Sequence, residues 1–187
     1  MQSMRKSYFF RFVVLATIFS ATIAGLVYYF SVEKLPIYDF EYTRDSKPIL
    51  KMFDKDWYWL VSSSREEYSP DFTLRYKTPD RNPRNFGKLI IKVLREDNKF
   101  AGFTAYYKET FFKGILLYVG VDREFRGKGY GRKLTDYAVK DLFSRGCTIV
   151  WLVTRTDNTK ARNLYKKLGF TETKIYDGFV DYEIRKK

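Results

Sequence analysis

The sequence predicts a mixed α/β (α+β) domain, with a mostly antiparallel central sheet of about six to seven strands flanked by helices. Three observations carry that prediction. Short segments rich in β-branched and aromatic residues, separated by turn residues, cover residues 89–121. A strand, a glycine loop and a helix start follow one another over 119–134, reading VGVDREFRGKGYGRKL. A helical stripe over 161–168 precedes two strand-like runs around Asp177-Gly178, the strongest short hairpin signal in the chain. With 187 residues, 45% of them hydrophobic, the chain has room for one core of ordinary size and an appendage.

Taken in order, residues 12–30 are 19 uncharged, mostly apolar positions, enough at helical rise to cover roughly 28 Å, about one hydrocarbon core. A single-pass N-terminal anchor is the leading reading. Arg5, Lys6 and Arg11 precede the run, so a secretory signal peptide with a cleavage site at Thr22-Ile23-Ala24 competes with it, and the protein would then be secreted. Apolar residues 26–30 beyond that site favour the uncleaved anchor. Three cations stand before the run and three after it (Lys34, Arg44, Lys47), which leaves the positive-inside rule nearly tied.

The domain is expected from residue 37 to residue 187. Residues 35–42 read as the first strand, with Asp45 or Ser46 capping a helix that has Pro48 just inside and runs from about 47 to 60. Residues 62–87 carry Pro70, Pro79 and Pro83 among many charges and read as loop or broken helix. Strands over 89–95, 100–108 and 114–121, with a turn at residues 97–99, make an antiparallel meander. From Gly131, Leu134, Tyr137, Ala138 and Leu142 keep to one helical face, and Gly146 sits where a C-cap belongs. Residues 148–154 form an apolar run of strand length. Asp157, Asn158 and Thr159 are then cap candidates for a helix striped by Ala161, Leu164, Tyr165 and Leu168 and closed by Gly169.

Composition excludes whole classes of chemistry. With no histidine and one cysteine, Ser-His-Asp and Cys-His catalysis, His-ligated metal sites and intrachain disulfides are all impossible within the chain, and no metal is expected. Cys147 reads as a buried inert thiol. Net charge is +13, from 35 Lys and Arg against 22 Asp and Glu. These cations are spread along the chain rather than gathered, so no dedicated nucleic-acid binding is expected.

The glycine loop carries the chemistry. Strand ends and helix starts leave backbone N–H groups unpaired, and Gly127, Gly129 and Gly131 remove the Cβ atoms that would keep an anion away from them. Arg126 and Lys128 put two cations at the lip, where a diphosphate needs its charge balanced. A nucleotide-triphosphate loop is not matched, because Gly131 is followed by Arg132, Lys133 and Leu134 rather than by Lys and Ser or Thr. The G-x-G-x-G spacing also differs from the dinucleotide fingerprint. Arg126, Gly127, Lys128, Gly129, Tyr130 and Gly131, preceded by Val121, Asp122, Arg123 and Glu124, resemble motif A of the GNAT superfamily of N-acetyltransferases, with Arg123 in place of the usual proline. Residues 158–170, NTKARNLYKKLGF, resemble the family's motif B, and the two motifs stand in family order.

The resemblance implies acetyl transfer from acetyl-CoA to an amine acceptor, small molecule or protein. It implies pantetheine pairing with backbone N–H groups near Val119 and Val121, and cofactor contacts from Arg126 through Arg132 and from Asn158. Gly120 is expected to ease a bulge that splays its strand from the next. A strand N–H would hold the developing oxyanion. Tyr165 is the candidate general acid toward the leaving thiolate; it also lies on the apolar stripe, where a core tyrosine would look the same, and Asn158 can be simply a cap. No general base is identifiable, Glu41, Glu109 and Glu124 being candidates by acidity alone. Two readings compete with the enzyme: a non-catalytic, membrane-anchored module that binds acyl-CoA or a partner, and a basic protein held on anionic lipid or RNA. Acetyl-CoA is expected where metabolism makes it, whereas the tighter cation cluster before residue 12 favours a domain on the other side of the membrane.

Overall fold

The computed structural model describes residues 36–61, 65–78 and 88–187. The hydrophobic run over 12–30 lies outside them. Among the described residues no helix is long and apolar enough to cross a membrane.

Seven strands form one sheet in the order β1-β2-β3-β4-β5-β7-β6. β1 is Ile37–Asp39, β2 Ile90–Glu96, β3 Lys99–Lys108, β4 Lys113–Val121, β5 Ile149–Arg155, β6 Thr171–Tyr176 and β7 Phe179–Arg185. Every neighbouring pair is antiparallel except β4 and β5, which run parallel. Two helices, α1 (Tyr42–Leu60) and α2 (Pro70–Tyr76), contribute to the core on one face; α3 (Tyr130–Ser144) and α4 (Thr159–Lys167) cover the other. Along β3 the alternation is direct: Phe103, Ala105 and Tyr107 enter the first core and Tyr106 the second. The Asp177-Gly178 turn takes positive φ at both residues, 45° and 80°, the geometry that matches a two-residue hairpin to the twist of β6 and β7.

The N-terminal part differs from the sequence expectation. The first strand stops at Asp39, because α1 begins at Tyr42 rather than near residue 47. Neither Asp45 nor Ser46 is the N-cap. Glu41 holds that position, and Asp45, one turn inside, turns its buried carboxylate back to accept the Glu41 N–H at 2.9 Å. Arg44 and Arg95 pair with the same carboxylate, so the helix start is closed by an ionic cluster drawn partly from β2. Pro48 therefore lies well inside α1, where it has no N–H to offer the Arg44 carbonyl. Ile49, Met52 and Phe53 bury the inner face, and the helix kinks at Asp56 (φ −122°, ψ 27°). Within the stretch read as loop or broken helix, α2 is capped by the Ser69 hydroxyl, which accepts the Phe72 N–H at 3.3 Å, with Pro70 as its first residue.

Candidate functional site

The opening in the sheet comes from β4. Its pairing with β5 covers Lys113, Gly114 and Ile115 against Ile149, Val150 and Trp151, and goes no further. Beyond Ile115 the strands separate, while β4 stays paired with β3 as far as Val121. The register of β3 and β4 slips between Leu116 and Tyr118, leaving Leu117 as the extra residue of a bulge. This corrects the role expected of Gly120. A Cβ there would stand 2.4 Å from the Met52 sulfur and 2.7 Å from Phe103, so the glycine admits close packing of α1, and the bulge lies three residues earlier. Val119 and Val121 fall on the segment of β4 that β5 has left, with their side chains against the core under α3.

At the C-terminal end of β4 the chain makes a 3₁₀ turn, Arg123–Phe125, and then the glycine loop. Gly127 and Gly129 have φ of 86° and 80°, and a Cβ on either would meet nothing within 4 Å. Their requirement is therefore conformational, and the space above them is open to an incoming group. Gly129 is the N-cap of α3, and the first helical bond runs from the Lys133 N–H to its carbonyl at 3.1 Å. Among the described residues the N–H groups of Gly127, Gly129, Gly131 and Arg132 have no backbone partner. Unpaired amides at a helix start, with the positive end of the helix dipole behind them, form an anion cradle.

The two expected lip cations are not loose. Lys128 pairs with Glu96 at the end of β2, 2.8 Å away, and the Tyr130 hydroxyl donates to the other oxygen of the same carboxylate at 2.6 Å. These two donors hold the Glu96 carboxyl below its ordinary range. Arg126 turns toward α1: its Nε donates to the Val121 carbonyl at 3.0 Å and its Nη2 to Asp56 at 2.5 Å. Arg132 is exposed at the third position of α3. Sequence reasoning missed Asp56 and Glu96, because nothing local marks an isolated acid as the anchor of a loop 70 or 32 residues away.

Asn158 is the N-cap of α4, its side-chain oxygen accepting the Ala161 N–H at 3.2 Å. That bond satisfies the cap reading and leaves the amide NH₂ for other contacts. Tyr165 is buried in the second core against Phe170 and Tyr182, with ring centroids 5.8 and 5.6 Å apart. Burial pushes its phenol up to about 12. The three carboxylates considered as bases lie apart from one another. Glu41 caps α1 and pairs with Arg44 at 3.3 Å, Glu109 pairs with Lys113 at the far end of β4, and Glu124 belongs to the 3₁₀ turn. Cys147 is buried and its thiol is raised by desolvation, as an inert core thiol should be. Among the described residues no cluster of acids and cysteine could hold a metal ion.

The opposite side of the opening is built from α1 and β5. The Arg155 guanidinium lies 4.0 Å from the centre of the Tyr58 ring and 4.8 Å from that of Phe179. It also donates to the carbonyls of Tyr58 at 2.6 Å and Val61 at 3.4 Å, closing the C-terminal end of α1. The Tyr58 hydroxyl donates to Asp157 at 2.8 Å.

Comparison with known proteins agrees with this geometry. The chain is 34% identical over 92 residues to the [ribosomal protein bS18]-alanine N-acetyltransferase of Salmonella typhimurium, which covers 49% of this chain and 62% of that protein. It is 45% identical over 58 residues to a mycothiol acetyltransferase of Arthrobacter sp., covering 31% and 18% of the two chains. The chain thus spans about six tenths of the length of the bS18-alanine acetyltransferases it matches, 62% and 59% in two cases. Its fold is shared with the ribosomal-protein-S18-alanine N-acetyltransferase of Escherichia coli, at TM-score 0.60 and 21% identity over 80% of this chain and 92% of that one. It is also shared with the PaiA N-acetyltransferase of Thermoplasma acidophilum in complex with coenzyme A, at TM-score 0.62 and 18% identity over 80% and 98%. The profile of the acetyltransferase (GNAT) family matches residues 48–170, and the chain belongs to that family.

Proposed function

We propose that the protein is an N-acetyltransferase that moves an acetyl group from acetyl-CoA to an amine. One observation carries the reading: unpaired amides of a left-handed glycine loop stand at the end of a strand that has parted from its neighbour. The loop and the start of α3 receive the diphosphate, and the free edge of β4 near Val119 and Val121 receives the pantetheine arm. Arg132, in the first turn of α3, and the Asn158 amide, at the start of α4, are the side-chain contacts proposed for the same cofactor.

In the reaction a C–N bond forms as the amine attacks the thioester carbonyl, and the C–S bond breaks. An amide N–H of β4 stabilises the oxygen's charge. Tyr165 faces the leaving sulfur. With its phenol near 12 and a thiol near 8.5, complete proton transfer to sulfur is uphill unless the amine nitrogen gives up its own proton. Tyr165 thus acts first as a hydrogen-bond donor, and the proton it passes to sulfur is replaced by the one the amine loses. No carboxylate base is needed if water carries that proton.

The acceptor is an amine, small or at a protein terminus; the relatives named above act on a ribosomal protein alanine and in mycothiol chemistry. Calorimetric titration of acetyl-CoA into the full-length chain tests the reading. Micromolar binding is expected, and Gly129→Glu should abolish it, because a side chain at φ 80° is strained and its charge repels phosphate. A well-folded protein that ignores acetyl-CoA would overturn the proposal.

A second reading, a binding module without turnover, is favoured by the burial of Tyr165 in the second core against Phe170 and Tyr182. Retained binding with no CoA release for any amine would support it. We further infer that residues 12–30 anchor the chain in a membrane as a single span. Carbonate-resistant membrane association is expected; a mature protein beginning after Ala24 would show a cleaved signal instead.

A further inference from the structure

We propose that Asp56 is a positioning residue for the cofactor, which fastens the glycine loop to the kink of α1 and so fixes the geometry in which the loop amides meet a diphosphate. The inference rests on the reading of that loop as the CoA site.

Asp56 is the one residue within α1 with non-helical backbone angles, and its side chain is buried. One carboxylate oxygen accepts Arg123 Nη2 at 2.9 Å and the other accepts Arg126 Nη2 at 2.5 Å. Each arginine has a second tie. Arg123 also donates to the Lys55 carbonyl at 3.2 Å, and Arg126 to that of Val121 at 3.0 Å. One acid therefore grips the 3₁₀ turn at its first residue and at its C-cap, and Arg126 is the residue immediately before Gly127.

That grip matters because the upstream end of the loop is tied through Arg126, whereas the Glu96 contacts hold it at Lys128 and Tyr130. Nothing lies within 4 Å of where Cβ atoms on Gly127 and Gly129 would be, and glycine backbone loses more freedom on ordering than any other. The loop is fixed downstream by the start of α3, in its middle by Lys128 on Glu96, and upstream through Arg126. A preorganised cradle binds its anion with less ordering still to be done.

The charge of Asp56 makes the idea decidable. A carboxylate beside an anion site is unfavourable by Coulomb's law alone, so removing it should tighten phosphate binding if charge were its only effect. Positioning predicts the opposite sign. In the full-length protein, Asp56→Asn is expected to bind CoA about tenfold more weakly, the scale of one hydrogen bond to a charged group. Pantetheine, which lacks the diphosphate, should bind both proteins equally in a chemical-shift titration. Asp56→Glu should recover part of the loss. Arg123→Gln, which leaves Arg126 on the carboxylate, should show a smaller loss of the same selectivity, and serves if Asp56→Asn does not fold. Equal or tighter CoA binding by Asp56→Asn, or an equal loss for pantetheine, would overturn the inference while leaving the CoA site standing. Failure of the wild type to bind CoA would overturn both.

Discussion

The two sides of the opening between β4 and β5 are held by opposite devices. On the loop side a buried carboxylate, Asp56, gathers two arginines, and among the described residues the amides of the glycine loop have no backbone partner. On the α1–β5 side a single arginine, Arg155, gathers two aromatic rings and two carbonyls, and the exposed surface is side chain. A backbone cradle can be written in a few consecutive residues, since glycines and a helix start suffice. A side-chain wall has to be assembled from segments nearly a hundred residues apart, such as Tyr58 and Arg155. The first kind of site suits a ligand held by its charge, the second one recognised through side-chain contact.

The largest expected effect comes from Tyr165, buried against Phe170 and Tyr182 and proposed above as the proton donor. Tyr165→Phe should lower kcat by roughly a hundredfold, within the range for general acid catalysis, and leave CoA binding unchanged. Because burial raises the phenol to about 12, its protonated form persists through neutral and alkaline pH, and the rate of the wild type should show no falling limb from this group below about pH 11. Unaltered turnover in the variant would return Tyr165 to the core. Next, Arg155→Ala tests whether the α1–β5 side receives the amine: kcat/KM for the amine should fall about tenfold, with CoA affinity intact. Equal losses for both substrates would break the comparison.

A smaller effect is expected from Gly127→Ala. Forcing a Cβ into φ 86° costs roughly 1–2 kcal/mol, seen as a lowered Tm and severalfold weaker CoA binding, with no change in amine specificity. The smallest concerns neither side of the opening. Glu172 is held down to about 2, first by the Tyr182 hydroxyl and then by Arg162 and Lys166. A carboxyl whose folded pKa lies below its unfolded value adds stability that is full above about pH 4.5 and lost as pH falls toward 2. Acid unfolding curves of Glu172→Gln should be flatter across that window, and catalysis at neutral pH should not change.

Residues from Val119 onward were legible because their structure is local. The β4 end, the glycine loop, α3 with its Gly146 stop, the Asn158 cap and the Asp177-Gly178 hairpin each follow from short-range backbone preference, and the structure has them within a residue or two. The start of α1 was not legible, because a carboxylate inside the first turn, steadied by Arg95 from another strand, overrode the expected cap. The lip cations were found by type, yet their direction was not: Arg126 and Lys128 each answer to an acid far away in sequence.

By itself, then, the sequence determined the order of strands and helices along the chain from residue 89 onward, the glycine loop before α3 and the exclusion of histidine chemistry, since these depend on residue type and short spacing. Tertiary structure decided where β4 leaves β5, which residue bulges, how α1 kinks and which acids hold the loop. Those features arise from pairings between distant segments, whose energies depend on burial and on geometry in three dimensions.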